Sequence, residues 1–358
     1  MKFIHTADIH WGMNPDSDKP WSRERAQAIK DTFTRIIKEA KDRDADCIFI
    51  SGDLFHSQPL VRDLKEINYL FSTIPAIHVC IIAGNHDRIR KSSALYSFTW
   101  SPNVMFFMGE ELSSVYFEDI NTEVFGFSYH SAEITENRLA GVQAPANGRI
   151  SILMAHGGDS KHLPFDRDQL LATSFSYIAL GHIHKPEIFP GSRMAYPGSP
   201  EPLDKTESGR HGIIVGDINY MTGKVTSLEF VPLSKTQYIS LAVHVTPETT
   251  NAELADRIDE EIQKRGQEHI YRFRIRGMRD PEMEFDLDAL SYRWKISDII
   301  DVSEPQYDFS ALFAEHPSDM IGFYIQALQK ENASPIEKKA LYYGINALLH
   351  TTDERSQS

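Results

Sequence analysis

Cysteine is scarce in this sequence, and long apolar runs are absent from it. The 358 residues include two cysteines, Cys47 and Cys80, each inside an apolar run, so we expect reduced core residues. Apolar runs reach only about eight residues, far short of the roughly 20 that span a bilayer, and no signal-peptide pattern precedes the first strand. The sequence therefore predicts an intracellular, cytoplasmic protein with no disulfide framework and no membrane partner.

Positive charge is also in short supply. Lysine and arginine total 37 against 51 aspartates and glutamates, which gives a formal net charge of −14. This balance excludes a generally basic coat for nucleic acid. A phosphate-bearing substrate must therefore be held by local positive charge, and a bound metal ion is one way to supply it.

The first third of the chain alternates between strand and helix patterns. Apolar runs at 3–7, 47–50 and 79–83 predict strands, and apolar residues at helical spacing predict helices over 23–43 and 61–71. This β-α-β-α-β order is typical of an α/β protein with a parallel sheet. From residue 104 onward a series of strands predicts a mixed sheet or two stacked sheets.

Chemistry-bearing residues recur at the ends of the predicted strands. Five segments place Asp, Asn or His just past an apolar strand, where α/β sheets form their ligand sites. They are Asp8-Ile9-His10, Gly52-Asp53, Gly84-Asn85-His86-Asp87, His156-Gly157 and Gly181-His182-Ile183-His184. One such segment is weak support for a site, because an isolated histidine is more often structural. Five in order are hard to obtain by accident, and their oxygen and nitrogen donors suit Mn, Fe or Zn.

The order of these segments resembles the calcineurin-like metallophosphoesterase superfamily over about residues 1–230. The sequences at 52–56 (Gly-Asp-Leu-Phe-His), 179–184 (Ala-Leu-Gly-His-Ile-His) and 196–200 (Tyr-Pro-Gly-Ser-Pro) resemble the SbcD-like DNA double-strand-break-repair nucleases. The resemblance implies a metallophosphoesterase-type β-sandwich flanked by helices at 1–234. A smaller α+β capping domain would follow at 235–307, and a linker with C-terminal helices at 308–358, a candidate segment for docking a partner.

The resemblance also implies two divalent metal ions, first of all Mn²⁺, with Fe or Zn as alternatives. It assigns Asp8, His10 and His184 to one ion, Asn85, His156 and His182 to the other, and Asp53 to both. A hydroxide held between the ions would attack the phosphorus of a phosphodiester.

Three further residues are expected to be catalytic. His86 should point away from the metals and act as general acid or transition-state donor. Asp87 either orients His86 or holds the following turn. His56, three residues after Asp53, is expected to support the site or contact substrate rather than to be a surface histidine.

Two groups of basic residues could contact DNA, and each has an ordinary alternative as a solvated surface. The first follows the histidine motif and consists of Arg88, Arg90 and Lys91. The second alternates with apolar residues in a predicted strand and consists of Arg272, Arg274 and Arg276.

The metal-ligand pattern predicts a hydrolase, and the resemblance implies a DNA exonuclease or endonuclease acting in DNA repair and recombination. By resemblance it would work with an SMC-like ABC-type ATPase, docked on helices at 320–329 and 336–349, and would form a homodimer through the helix at 61–71. One alternative is a phosphodiesterase for a nucleotide or another small molecule. Another is a non-catalytic scaffold with the same fold, although every expected ligand position is filled.

Overall fold

The chain divides into two units. A computed structural model describes residues 1–191, 193–330 and 332–356. One unit comprises Met1–Ile239 and Gln267–Tyr271, and the other comprises Ser240–Gly266 and the described chain from Arg272 onward. The expected boundaries after residues 234 and 307 stay predictions, and residues 357–358 of the C-terminal segment lie outside the described residues.

The first unit begins with the alternating pattern that the sequence predicts. Its elements are β1 (Lys2–Thr6), α1 (Ser22–Asp42), β2 (Cys47–Ser51), α2 (Val61–Ser72), β3 (His78–Ile82), α3 (Ala94–Ser97) and β4 (Val104–Phe107). Strands β1 to β4 pair in parallel, each with the next. The carboxyl ends of β1, β2 and β3 therefore share one edge of the sheet, as expected for the predicted site.

The later strands build a second sheet and extend the first. They are β5 (Ser113–Phe117), β6 (Thr122–Gly126), β7 (Ile150–His156), then α4 (Arg167–Leu171), β8 (Tyr177–Gly181), β9 (Glu187–Ile188), β10 (Met194–Tyr196), β11 (Gly212–Ile218) and β12 (Val225–Pro232). Within the described chain the first unit thus holds two six-stranded sheets, ordered β12-β11-β1-β2-β3-β4 and β5-β6-β7-β8-β10-β9.

A shared apolar layer joins the two sheets. Alternate residues of the strands, including Phe3, Phe49 and Met154, belong to one buried cluster that draws on both sheets. On the outer face of the first sheet, helices α1 and α2 pack residues such as Phe33 and Phe71. The predicted fold class, a β-sandwich flanked by helices, is confirmed.

The second unit is a small α+β assembly followed by helices. Its elements, including the strands that lead into it, are β13 (Tyr238–Val245), α5 (Asn251–Arg265), β14 (Ile270–Arg279), α6 (Leu287–Arg293), β15 (Ile296–Asp301), β16 (Glu304–Pro305), α7 (Phe309–Glu315), α8 (Met320–Leu328) and α9 (Pro335–Ser356). Helix α5 begins with a capping box between Thr250 and Glu253. Helices α8 and α9 pack through Ile321, Ile325 and Ile345.

Helix α7 lies at the start of the segment 308–358, before the helix expected at 320–329, where the sequence predicts a linker. Asp308 stabilises the start of this helix, because its carboxylate accepts hydrogen bonds from the backbone N–H groups of Ser310 and Ala311.

Across the described residues, the helices lack the combination of length and apolar character that crossing a membrane requires.

Candidate metal centre

Tight turns at the strand ends aim the predicted ligands into one pocket. Asp8, His10, Asp53 and His182 have φ angles of 52°, 50°, 49° and 95°, the left-handed region that non-glycine residues rarely occupy. The backbone N–H of His10 donates to the carbonyl of Asp53 over 3.0 Å, which joins the turns after β1 and β2. Such strained turns cluster at functional sites, where the surrounding structure maintains them.

The first predicted ligand group converges as expected. Nε2 of His10 lies 3.3 Å from Nε2 of His184, which lies 3.7 Å from Oδ1 of Asp8. The Asp8 carboxylate is fixed by the backbone N–H of His182, 2.9 Å from Oδ2. Two imidazole nitrogens and a carboxylate oxygen thus face one small space.

Two members of the second predicted group, Asn85 and His156, meet the first group at Asp53, whereas the third, His182, directs its Nε2 at Asp159, 2.7 Å away. Nε2 of His156 lies 3.1 Å from Oδ1 of Asn85 and 3.3 Å from Oδ2 of Asp53. The same Asp53 oxygen lies 3.8 Å from Nε2 of His10. Asp53 therefore adjoins both groups, which is the position that a bridging carboxylate requires.

Backbone contacts set which nitrogen of His156 faces the pocket. Its Nδ1 donates to the carbonyl of Ser51 over 2.9 Å, so Nε2 carries the lone pair in the neutral ring. That nitrogen points at Asn85 and Asp53, as a metal ligand should.

Two acidic residues that sequence reasoning missed contact the histidines of the segment after β8. Nε2 of His182 lies 2.7 Å from Oδ2 of Asp159, which also lies 3.0 Å from Nδ1 of His162. Nδ1 of His184 lies 2.6 Å from Oε1 of Glu207. Asp159 follows a predicted ligand by only three positions, which was the one available signal for it; Glu207 carried no local signal.

The space around the ligands fits a metal pair. A Cβ atom on Gly84 would collide with Oδ1 of Asp53 and lie 2.7 Å from Nε2 of His156, so a larger residue would fill the pocket. The donors are carboxylate oxygen, amide oxygen and imidazole nitrogen, a set that suits Mn, Fe or Zn. The residues present therefore fit two divalent ions.

Burial and neighbouring charges shift the pKa values of the predicted ligands. Burial raises the pKa of Asp8 to about 6, against the opposing charge of His184. Burial also acts to raise the pKa of Asp53, but the charge and hydrogen bond of His156 hold it well below its usual range. Burial acts to lower the pKa of His156, and the Asp53 carboxylate nevertheless raises it to about 9. Metal binding must displace protons from such histidines.

The predicted catalytic residues lie beside the pocket. Nδ1 of His86 donates to the carbonyl of His56 over 3.0 Å, and the two rings stack with centroids 5.2 Å apart. Nδ1 of His56 lies 3.3 Å from Nδ1 of His10, so His56 touches a predicted ligand. Asp87 is buried and accepts hydrogen bonds from the backbone N–H groups of Phe55 and Gly84. These contacts hold the turn that precedes Asp87 and join it to the segment after β2, and both expected roles of Asp87 stay predictions.

A groove of about 570 Å³ opens next to His86. Arg88 and Arg90 line it together with Glu133 and His162. Arg88 also donates to the carbonyl of Asn85 over 3.1 Å. Lys91 is exposed on the neighbouring turn and is not among the described residues that line the groove.

In the second unit, the arginine strip lies exposed on one face of β14. Its members Arg272, Arg274 and Arg276 line a shallow depression with residues of β13. Nε of Arg272 lies 3.2 Å from Oδ2 of Asp298, so one member already has an acidic partner.

Comparisons with known proteins identify the family of this chain. Residues 1–186 match the family model described as calcineurin-like phosphoesterase. The DNA double-strand break repair protein Mre11 of Archaeoglobus fulgidus is 29% identical over 238 residues, covering 59% of this chain and 52% of that protein. Mre11 of Methanocaldococcus jannaschii is 32% identical over 221 residues, covering 58% of each chain. The uncharacterized metallophosphoesterase YhaO of Bacillus subtilis is 28% identical over 246 residues, covering 62% and 59%.

The chain spans between about half and three-fifths of the length of these relatives. The family model, in contrast, matches more than half of this chain and contains every predicted metal ligand. The chain therefore belongs to the calcineurin-like phosphoesterase family.

Proposed function

We propose that this protein is a metal-dependent DNA exonuclease or endonuclease of DNA repair, as the sequence analysis predicts. The observation that carries the proposal is the convergence of Asp8, His10 and His184 with Asn85 and His156 around one shared carboxylate, that of Asp53. The similarity to two archaeal proteins named for DNA double-strand break repair supports DNA as the substrate.

The proposed ligand sets follow the two contact groups and the family resemblance. Asp8, His10 and His184 would hold one ion, and Asn85 and His156 would hold the other, with Asp53 between the two sets. His182, which the resemblance adds to the second set, would have to exchange its contact with Asp159 for the ion. When bound, two ions such as Mn²⁺ would activate water and neutralise charge on the phosphoryl group.

The chain itself contributes proton transfer and orientation. His86 donates its Nδ1 proton to the His56 carbonyl, which directs the ring edge carrying Nε2 away from the backbone. A protonated Nε2 can then donate to the leaving oxygen or to a phosphoryl oxygen. His56 stacks against this ring and limits its rotation.

Substrate binding is proposed for the basic residues near the groove. Arg88 and Arg90 line it and would contact DNA phosphates, with Lys91 on the adjacent turn. The arginine strip on β14 supplies a second candidate surface in the other unit, because three guanidinium groups share one exposed face.

Hydrolysis of two substrates tests the proposal. The wild type and an Asp53→Ala variant are compared on a labelled linear DNA duplex and on bis-p-nitrophenyl phosphate, both with Mn²⁺. An Asp18→Ala variant is the control, since its side chain is 76% exposed. Cleavage of both substrates that is lost only in Asp53→Ala supports the nuclease.

The other outcomes favour the alternatives. Cleavage of the ester alone would point to a small-molecule phosphodiesterase, unless DNA cleavage appears when the ATPase partner is added. No cleavage of either substrate by a chain that binds Mn²⁺ would favour the scaffold.

We also propose the partners that the family resemblance implies, in the cytoplasm. Helices α8 and α9 expose Phe323 and Tyr343, which supports docking of an SMC-like ABC-type ATPase. Helix α2 exposes Val61 and Tyr69, which supports a homodimer through this helix. Light scattering on the wild type and on Tyr69→Glu tests the dimer, which should become a monomer in the variant.

A further inference from the structure

Glu207 is an acidic residue that no motif marks, yet it contacts a predicted metal ligand. It lies in the segment between β10 and β11, 23 positions after His184. Its Oε1 atom lies 2.6 Å from Nδ1 of His184, and its side chain is only 13% exposed. A carboxylate this sheltered and this close makes a strong, charge-assisted hydrogen bond.

Both oxygens of this carboxylate are engaged. Oε2 of Glu207 accepts hydrogen bonds from Oγ of Ser199 and from the backbone N–H of Leu203, each over 2.9 Å. The backbone N–H of Ser199 in turn donates to the carbonyl of His184 over 3.1 Å. These hydrogen bonds form a closed ring, which we call the circuit. They hold the Glu207 carboxylate in place relative to the His184 imidazole even when no ion is bound.

The circuit decides which nitrogen of His184 is available. Because Nδ1 donates its proton to Glu207, the neutral ring keeps its lone pair on Nε2. Nε2 is the atom that faces the pocket, 3.7 Å from Oδ1 of Asp8 and 3.3 Å from Nε2 of His10. A carboxylate on the outer nitrogen also makes an imidazole more basic towards a metal.

We propose that Glu207 is a positioning residue that holds His184 in the Nδ1–H form with Nε2 aimed at the metal pair. Ser199 and the N–H of Leu203 hold Glu207 in turn. This inference rests on the proposed metal centre. It also gives the Tyr-Pro-Gly-Ser-Pro sequence at 196–200 a structural role, because Ser199 links the Glu207 carboxylate to the segment that carries His182 and His184.

The test removes the charge of Glu207 while keeping its shape. In Glu207→Gln the amide nitrogen must face either His184 or the Ser199–Leu203 pair, and all three groups are donors. At least one hydrogen bond is therefore lost in either orientation. Mn²⁺ binding, measured by calorimetry on the full chain, should weaken by about 10- to 100-fold.

Two further variants make the comparison specific. Ser199→Ala removes one support of the carboxylate and should weaken binding less than Glu207→Gln does. Glu187→Gln removes a charge three positions after His184, from a side chain that pairs with Arg167, and should leave Mn²⁺ affinity unchanged. If Glu207→Gln does not fold, as judged by circular dichroism, the Ser199→Ala result decides the matter.

Tautomer spectroscopy without metal separates this inference from the proposed function. In ¹⁵N-histidine spectra recorded above pH 10, where the ring is neutral, and assigned with a His184→Gln variant, His184 should be protonated at Nδ1 in the wild type and lose that preference in Glu207→Gln. Unchanged tautomer and Mn²⁺ affinity in Glu207→Gln would overturn the positioning role. A wild type that binds no Mn²⁺ would instead contradict the metal centre, whatever the tautomer.

Discussion

The direction in which a histidine points depends on a single contact of its ring. Nδ1 of His156 donates to the carbonyl of Ser51, and Nδ1 of His86 donates to the carbonyl of His56. In both residues the backbone holds one nitrogen and leaves the other for chemistry. The difference is in where that free nitrogen points, towards Asp53 in His156 and beside the groove in His86.

Replacing His86 should therefore separate catalysis from metal binding. In His86→Gln we expect turnover of the labelled DNA duplex to fall by about 100- to 10,000-fold, because the alkoxide leaving group loses its positioned proton donor. The Mn²⁺ content, measured by plasma mass spectrometry, should match that of the wild type. The control is His130→Gln, whose ring contacts the carbonyl of Met108 outside the pocket. Equal turnover in both variants would contradict the role of His86.

His5 makes stability depend on pH. Its Nε2 donates to the carbonyl of Leu180 and its Nδ1 accepts from the hydroxyl of Tyr177, and burial lowers its pKa from 6.5 to about 3. Below about pH 6.5, His5 therefore binds a proton in the unfolded chain but not in the folded chain. The free energy of unfolding consequently falls as the pH decreases. Between pH 7 and pH 5, the protonation of His5 should lower the free energy of unfolding by about 2 kcal/mol.

Urea unfolding of the wild type and of His5→Gln at both pH values measures this cost. The variant is expected to be less stable at pH 7, because it loses buried hydrogen bonds. Its disadvantage should shrink by about 2 kcal/mol at pH 5. The same stability difference at both pH values would show that His5 is protonated in the folded protein.

At the scale of elements, the strands and helices of the first sheet were predictable, because each has a strong local pattern. The strand-end segments were predictable for the same reason, since the order of parallel strands brings their carboxyl ends together. Asp159 and Glu207 were not, because each meets its histidine across 23 positions that include other helices and strands. Helix α7 was missed since its seven residues are too few for helical periodicity to stand out.

The turn after β3 depends on the absence of a side chain at Gly84. Since a Cβ atom there would collide with Asp53, Gly84→Ala should displace the shared carboxylate and weaken Mn²⁺ binding at least tenfold. Overpacking should also lower the free energy of unfolding by about 1 to 3 kcal/mol. Calorimetry and urea unfolding measure the two effects.

Gly109 offers the matched control for this substitution. It follows β4, and a Cβ atom there would make only ordinary contacts, the nearest at 3.7 Å from the carbonyl oxygen of Glu111. Gly109→Ala should therefore keep both Mn²⁺ affinity and stability. Equal Mn²⁺ affinity in the two variants would mean that the pocket tolerates a methyl group and that the metals lie elsewhere.

At the scale of the whole molecule, an acidic protein is proposed to bind a polyanion. The net charge of −14 repels DNA at long range, so attraction must come from bound cations and from the few arginines near the groove. The seven predicted ligands include two carboxylates, so two dications would leave the ligand set itself with a net positive charge, although Asp159 and Glu207 behind the histidines offset it. Binding should consequently depend on a small number of phosphate contacts rather than on the surface as a whole.

Salt dependence measures that number of contacts. The affinity for a DNA duplex, with Ca²⁺ in place of Mn²⁺ to suppress cleavage, should fall linearly on a log–log plot against salt, by about 0.9 per phosphate contacted. Arg90→Gln, inside the groove, should reduce this slope by about 1. Lys38→Gln is the control, because its side chain is 71% exposed on α1 and is not among the described residues of the groove. Turnover of bis-p-nitrophenyl phosphate should barely respond to salt in any of the three proteins. A slope unchanged by Arg90→Gln would remove Arg90 from the DNA-binding surface and favour the arginine strip on β14, where Arg274→Gln would be the next variant to measure.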